Sequence, residues 1–141
     1  MSYDVQQSLG DHDATVEWHG VSEATPGAVV VQIRFRFKDG EVGNKDLYPL
    51  ASKKSTELSR KALRVLGFDI DSRDLGELEK NHELLKGVTC RLVVQENEYN
   101  GKVTNRIAFV NSIPKPASIN SIAEATRRLR AAKKGGDDDA L

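Results

Sequence analysis

Apolar and polar positions alternate strictly over Ala28–Lys38. Val29, Val31, Ile33, Phe35 and Phe37 share one face, and Gln32, Arg34, Arg36 and Lys38 share the other. A period of two over this length predicts a half-buried antiparallel strand. Asp39-Gly40 then predicts a hairpin turn, with Glu41–Leu50 returning as the next strand. Upstream, Ala14–Val21 reads as a strand with Val16 and Trp18 on one face, closed by the turn Thr25-Pro26-Gly27. Over Ser52–Leu66 the period changes. Leu58, Ala62, Val65 and Leu66 form a helical stripe, and Gly67 stands where a helix C-terminus favours glycine. Leu75, Leu78, His82 and Leu85 suggest a second short helix, with Asp71 or Ser72 near its start and Gly87 after it.

Val88–Glu98 returns to strand spacing, with Cys90, Leu92 and Val94 inward. Asn100-Gly101 is a strong hairpin signal, and Lys102–Asn111 is the returning strand. There Val103, Ile107 and Phe109 read as one face and Lys102, Thr104 and Arg106 as the other. Pro114 and Pro116 end the sheet. Ser121 and Glu124 have capping-box spacing at the head of a last helix loaded with Arg127, Arg128, Arg130, Lys133 and Lys134. Gly135-Gly136 then breaks the helix before an acidic tip.

Three strands, a helical segment and a two-stranded hairpin follow the element order of an OB fold. The expected class is therefore mainly β with helices: a five-stranded Greek-key barrel, a helical insertion between strands 3 and 4, and a C-terminal basic helix. The organisation expected is a domain over 1–113 (core about 14–113), a linker and basic helix over 114–134, and a flexible acidic tail over 135–141.

The chain has 141 residues, 38% hydrophobic and 30% charged, enough apolar material for one core. No apolar run approaches the ~18 residues of a membrane-spanning helix, and the first ten residues lack a signal-peptide pattern. With a single cysteine, Cys90, there is no internal disulfide and no multi-cysteine zinc site. A cytoplasmic protein is expected. The net charge is zero, which speaks against a nucleic-acid partner until its distribution is considered. Residues 1–27 carry five acids and no Lys or Arg, residues 28–68 nine bases against four acids, residues 69–98 eight acids against four bases, and residues 99–136 eight bases against one acid. The tail adds Asp137, Asp138 and Asp139. Opposed blocks of this kind can focus potential on one face.

Arg34, Arg36 and Lys38 form a row of cations, two residues apart, that can track a phosphodiester chain. Lys102 and Arg106 add cations on the last hairpin. Bases held without sequence identity also need stacking aromatics. Tyr99, which opens the Asn-Gly hairpin, and Tyr48, which ends the strand beside the basic one, are candidates. Trp18 is divided between stacking and core; Phe35, Phe37 and Phe109 follow core periodicity. An enzyme is not expected. His12, His19 and His82 lack zinc-ligand spacing. Asp69, Asp71 and Asp74 are interrupted by Arg73 and lack the glycine and final glutamate of a calcium loop. There is no phosphate-binding Gly-rich loop and no nucleophile elbow, and Cys90 reads as core. No cofactor or metal is expected.

The hairpin Gly87–Val94, Glu98-Tyr99-Asn100-Gly101-Lys102 and Asn105–Asn111 resembles that of bacteriophage OB-fold single-stranded-DNA-binding proteins and of related proteins from phage replication and recombination gene clusters. The shared pattern is a Tyr-Asn-Gly-Lys turn and a strand ending in an aromatic, Val and Asn. Asp39-Gly40 and Ala62–Phe68 match more loosely, so the resemblance covers about residues 14–113. It implies a non-enzymatic, metal-free protein that binds single-stranded DNA with little sequence preference in an infected bacterial cell; the choice between DNA and RNA is left open. The acidic tip resembles tails that recruit replication proteins, although those often end in a bulky aromatic where this chain has Leu141. An oligomer of the chain is left open as a further partner. The competing reading is an OB-fold adaptor or virion component that binds protein rather than nucleic acid.

Overall fold

A computed structural model describes residues 4–23 and 25–136, with side chains in the last helix described through residue 132. The acidic tail Asp137–Leu141 and the side chains of Lys133 and Lys134 lie outside the described residues. The elements in chain order are β1 (Gly10–Glu23), β2 (Val29–Phe37), β3 (Val42–Leu47), α1 (Lys53–Val65), α2 (Gly76–Lys80), β4 (Thr89–Tyr99), β5 (Lys102–Asn111) and α3 (Ile119–Gly136). The fold is mainly β: one five-stranded antiparallel sheet in the order β3-β2-β1-β4-β5, with three helices.

The outer strands β3 and β5 approach each other, so the sheet curls around its own core. Gly43 on β3 permits this. A Cβ there would lie 2.9 Å from Val5 and 3.1 Å from Ile107 of β5. The N-terminal segment helps fill the gap. Val5 donates its backbone N–H to the Asn105 carbonyl at 2.8 Å, and its side chain is buried. Asn105 Nδ2 donates to the Gln7 carbonyl at 3.0 Å, and Gln7 Nε2 donates to Asp39 at 2.8 Å. One valine in a polar stretch carries no periodicity, so this contribution to the core was invisible in the sequence pattern.

The core joins Val31, Ile33, Phe35 and Phe37 of β2 with Cys90, Leu92 and Val94 of β4, as the alternation predicts. Helix α1 adds Ala62, Leu63 and Leu66, and the segment after it adds Phe68, Leu78 and Leu85. Burial of apolar surface on this scale is what stabilises a curled sheet of this size. Among the described residues, no helix is long and apolar enough to cross a membrane.

Two β-bulges correct the face assignments. Val16 lies opposite Phe35, but Trp18 lies opposite Arg34, so β1 spends an extra residue, Glu17. That reverses the side-chain parity. Val16 and His19 point into the core, and Trp18 shares the outer face with Arg34 rather than the face of Val16. Likewise Val93 pairs with Phe109 and Val94 with Ile107, leaving Ala108 extra on β5. Ile107 and Val110 are buried, while Phe109 and Val103 are exposed, against the expectation that the three shared an apolar face with Ile107 inward.

The helices also differ from the expectation. Ser52 caps α1 by accepting from Ser55 N at 3.0 Å, but the buried stripe is Ser59, Ala62, Leu63 and Leu66, one position round from Leu58, which is exposed. The predicted second helix shrinks to five residues, capped at Leu75 with no side-chain cap, and His82 lies beyond it. Asp69 and Asp74 instead hold loop turns, accepting from Asp71 N at 3.1 Å and Gly76 N at 2.6 Å. Ser118, not Ser121, caps α3: its Oγ accepts from Ser121 N at 3.1 Å. Helix α3 runs through Gly136 rather than breaking at Gly135.

Candidate nucleic-acid interface

The cation row of β2 lies on the outer face, as the alternation requires, but acids from β1 meet it there. Arg36 Nε donates to Glu17 Oε1 at 2.9 Å and its Nη1 to the Gly40 carbonyl at 2.7 Å. Lys38 Nζ lies 3.7 Å from Asp13, which also accepts from Arg91 Nε at 2.9 Å. The Arg91 hydrogen bond, with Lys38 beside it, holds the Asp13 carboxyl below the usual carboxylate range. The bulge that places Glu17 on this face is therefore also what neutralises Arg36. Positive potential over Arg36 and Lys38 is much reduced by these partners.

Arg34 is held differently. Its guanidinium lies over the Trp18 ring, 5.4 Å from the centroid, and the indole meets His82 edge-on at 5.2 Å. The indole lies over Gly20, where a Cβ would sit 2.8 Å from it. Trp18 is half-buried, covered by Arg34 and His82.

The other candidates converge at the seam between β3, β5 and α1. Here a cleft is lined by Lys45 and Tyr48 from the β3 end, Leu58 and Lys61 from α1, and Phe109 from β5. It continues into a second hollow that includes Asn44, Lys45, Tyr48 and Arg106. Tyr48 is 48% exposed and Phe109 41% exposed, so each side chain is partly packed and partly open to solvent. Lys45 is half-buried, and its ammonium is pushed below its ordinary value first by burial and further by Arg106, with Asp46 opposing. Such a lysine gains from an incoming anion. Tyr48 donates to Asp46 at 3.3 Å, and burial of the phenol together with that carboxylate holds its pKa up. The phenol stays neutral near pH 7.

Arg34 pairs with Asn44 across β2 and β3, so the outer face runs from Trp18 through Arg34 and Asn44 to the cleft. Tyr99 and Lys102 face each other at the tip of the β4–β5 hairpin, away from the seam, where Asn100 adopts φ 53° for the predicted turn. Tyr99 is 70% exposed. Of the predicted site residues, the structure thus brings Tyr48 and Arg106 together, pairs Arg34 with Trp18 on the outer face outside the two hollows, leaves Arg36 and Lys38 paired with acids, and puts Tyr99 and Lys102 at a separate tip. Lys45, Lys61, Leu58 and Phe109 were not expected. Phe109 was hidden by the bulge, and Lys45 by a strand too short to show alternation.

Among the described residues, no group of three or more His, Cys, Asp or Glu could hold a metal ion. Burial raises the Cys90 thiol to about 12, and its side chain is enclosed in the core. No protein-family model and no curated protein matches this chain.

Proposed function

We propose that this chain is a non-enzymatic OB-fold protein that binds single-stranded DNA with little sequence preference, of the phage replication and recombination type, acting in the cytoplasm of the infected cell. The observation that carries the reading is the cleft at the β3–β5 seam, where two half-exposed rings, Tyr48 and Phe109, stand among Lys45, Lys61 and Arg106. Partly exposed rings stack on unpaired bases, and the cations meet the phosphates between them. The strand order β3-β2-β1-β4-β5, the close approach of β3 and β5 and the helix between β3 and β4 support the OB assignment.

The test is fluorescence anisotropy with a labelled oligonucleotide, single-stranded and as a duplex of equal length, across a salt series. The single strand should bind more tightly, and affinity should fall steeply with salt as counterions are released. Equal affinity for both forms at every salt concentration would remove the stacking reading. The adaptor reading draws on one observation, the exposed apolar side chains of α3, and predicts no oligonucleotide binding at all.

A further inference from the structure

The outer face of β1, β2 and β4 carries the cations of a second nucleic-acid surface, and acids stand among them. Strand register puts Arg34 and Arg36 of β2 on this face, with Lys38 just past them, and sets Arg91 of β4 opposite Asp13 of β1. These cations fall on three neighbouring strands, a width of about 10 Å between the outer two. Cations so grouped attract any phosphate backbone. Two carboxylates of β1 meet them first. Glu17 accepts from Arg36 Nε at 2.9 Å. Asp13 reaches both neighbouring strands, accepting from Arg91 Nε at 2.9 Å with Lys38 Nζ at 3.7 Å. The Arg36 side chain is 50% exposed and that of Lys38 82%. Both therefore reach solvent, each with an anion already beside it.

We propose that Asp13 and Glu17 determine the preference of this protein for single strands over duplex: they keep phosphate backbones off the outer face, so that only a strand able to use the seam is held. The inference rests on the nucleic-acid reading above. The two surfaces ask different things of a ligand. In the cleft Tyr48 and Phe109 offer rings, and a duplex, whose bases are already paired and stacked, cannot use them. On the outer face the ring available is Trp18, and Arg34 and His82 cover it.

Stripped of its acids, the outer face would bind through phosphates alone. A duplex carries one charge per ~1.7 Å of axis, twice the density of either of its strands. Such a face would therefore gain more from a duplex than from a single strand, and would work against the selection made in the cleft. Discrimination between two ligands comes from refusing one as much as from holding the other. Here the refusal falls to two carboxylates that lie outside the cleft and its neighbouring hollow.

The test is Asp13→Asn/Glu17→Gln, which keeps both side-chain shapes and removes both charges. Anisotropy is measured with one short oligonucleotide, single-stranded and as a duplex, from about 50 mM salt upward. Each phosphate newly met steepens the duplex slope by ~0.9 and contributes roughly tenfold in affinity at about 50 mM relative to about 1 M salt. Duplex affinity should rise by at least about tenfold at the low-salt end, and single-strand affinity clearly less. The control is Glu96→Gln/Glu98→Gln on the β4–β5 hairpin, which removes the same charge from two exposed acids that are in no ion pair among the described residues. It should move both ligands little and together. Melting by circular dichroism checks the fold, and Glu17→Gln alone, which frees Arg36, should give part of the duplex gain even where the double variant does not fold. Unchanged duplex affinity in a folded variant would overturn the proposal. So would an equal gain for both ligands, or an equal duplex gain in the control, which would assign the effect to net charge. If the parent binds neither ligand, the nucleic-acid reading of the cleft falls; duplex binding gained by the variant would then still show the acids masking the face, and none gained would overturn the masking as well.

Discussion

Replacing Phe109 with Leu removes the open ring surface while keeping an apolar side chain in its place. The residue is 41% exposed and lines the cleft, so part of its side chain is open to solvent there. A near-volume-conserving apolar exchange at such a position should cost less than ~1.5 kcal/mol of stability. Loss of one base stack should cost ~1–3 kcal/mol of binding, which is roughly 5- to 150-fold in affinity. No charge changes, so the slope of log affinity against log salt should stay that of the parent. Phe35→Leu is the control. That ring is fully enclosed, so the change should lower the melting temperature more and leave affinity for single strands unchanged in the folded protein. The assay is anisotropy with a single-stranded oligonucleotide at several salt concentrations, paired with thermal unfolding by circular dichroism. Parental affinity in Phe109→Leu, with folding intact, would show that the cleft does not stack bases. Equal affinity loss in both variants would mean that binding follows stability rather than the ring.

The remaining predictions concern charge, a buried histidine and a buried thiol. Lys45→Ala/Arg106→Ala should flatten the salt slope by ~0.7 for each phosphate no longer neutralised, whereas Arg36→Ala, whose guanidinium is held by Glu17 and the Gly40 carbonyl, should leave it nearly unchanged; a larger change from Arg36→Ala would return the site to the β2 row. His19 is fully buried, its Nε2 accepts the Leu85 N–H at 3.0 Å, and burial lowers its pKa from 6.5, with Glu79 and His82 the charged neighbours. The unfolded chain therefore takes up a proton that the fold excludes: His19 costs no stability above pH 6.5, and stability falls below it by up to ~1.4 kcal/mol per pH unit. Denaturant titrations between pH 5 and 7.5 should show that fall, and His19→Gln should flatten it; an equal fall in the variant would assign it to other groups. Cys90, with its thiol raised to about 12 and enclosed in the core, should resist thiol reagents near pH 8 until the chain is unfolded, and labelling of the native protein at the rate of a free thiol would contradict that enclosure.

Much of the architecture was legible in the chain because strand and helix periods are local properties. The alternation of Val29 to Phe37, the Asp39-Gly40 and Asn100-Gly101 turns and the change of period at Ser52 place β2, the β4–β5 hairpin and α1 within a residue of where they lie, whereas β3 ends at Leu47 rather than Leu50 and β1 begins at Gly10 rather than Ala14. The number of strands and their order relative to the helices followed from the same signals. The candidate site was only partly legible. Tyr48 and Arg106 were identified separately by residue type, and nothing in a linear pattern says that the end of β3 and the middle of β5 meet.

Tertiary structure decided the rest, at points where one residue changes parity. The extra residue Glu17 turns Trp18 outward and His19 inward, and it also delivers the carboxylate that holds Arg36. The extra residue Ala108 turns Phe109 out of the core and into the cleft. A bulge is an outcome of pairing between strands far apart in sequence, and its effect is to invert every inward and outward assignment beyond it. The chain by itself determined which segments are strands and where cations and rings are available. Only the folded sheet decided which cations acids had already taken, and which rings were left beside an open groove.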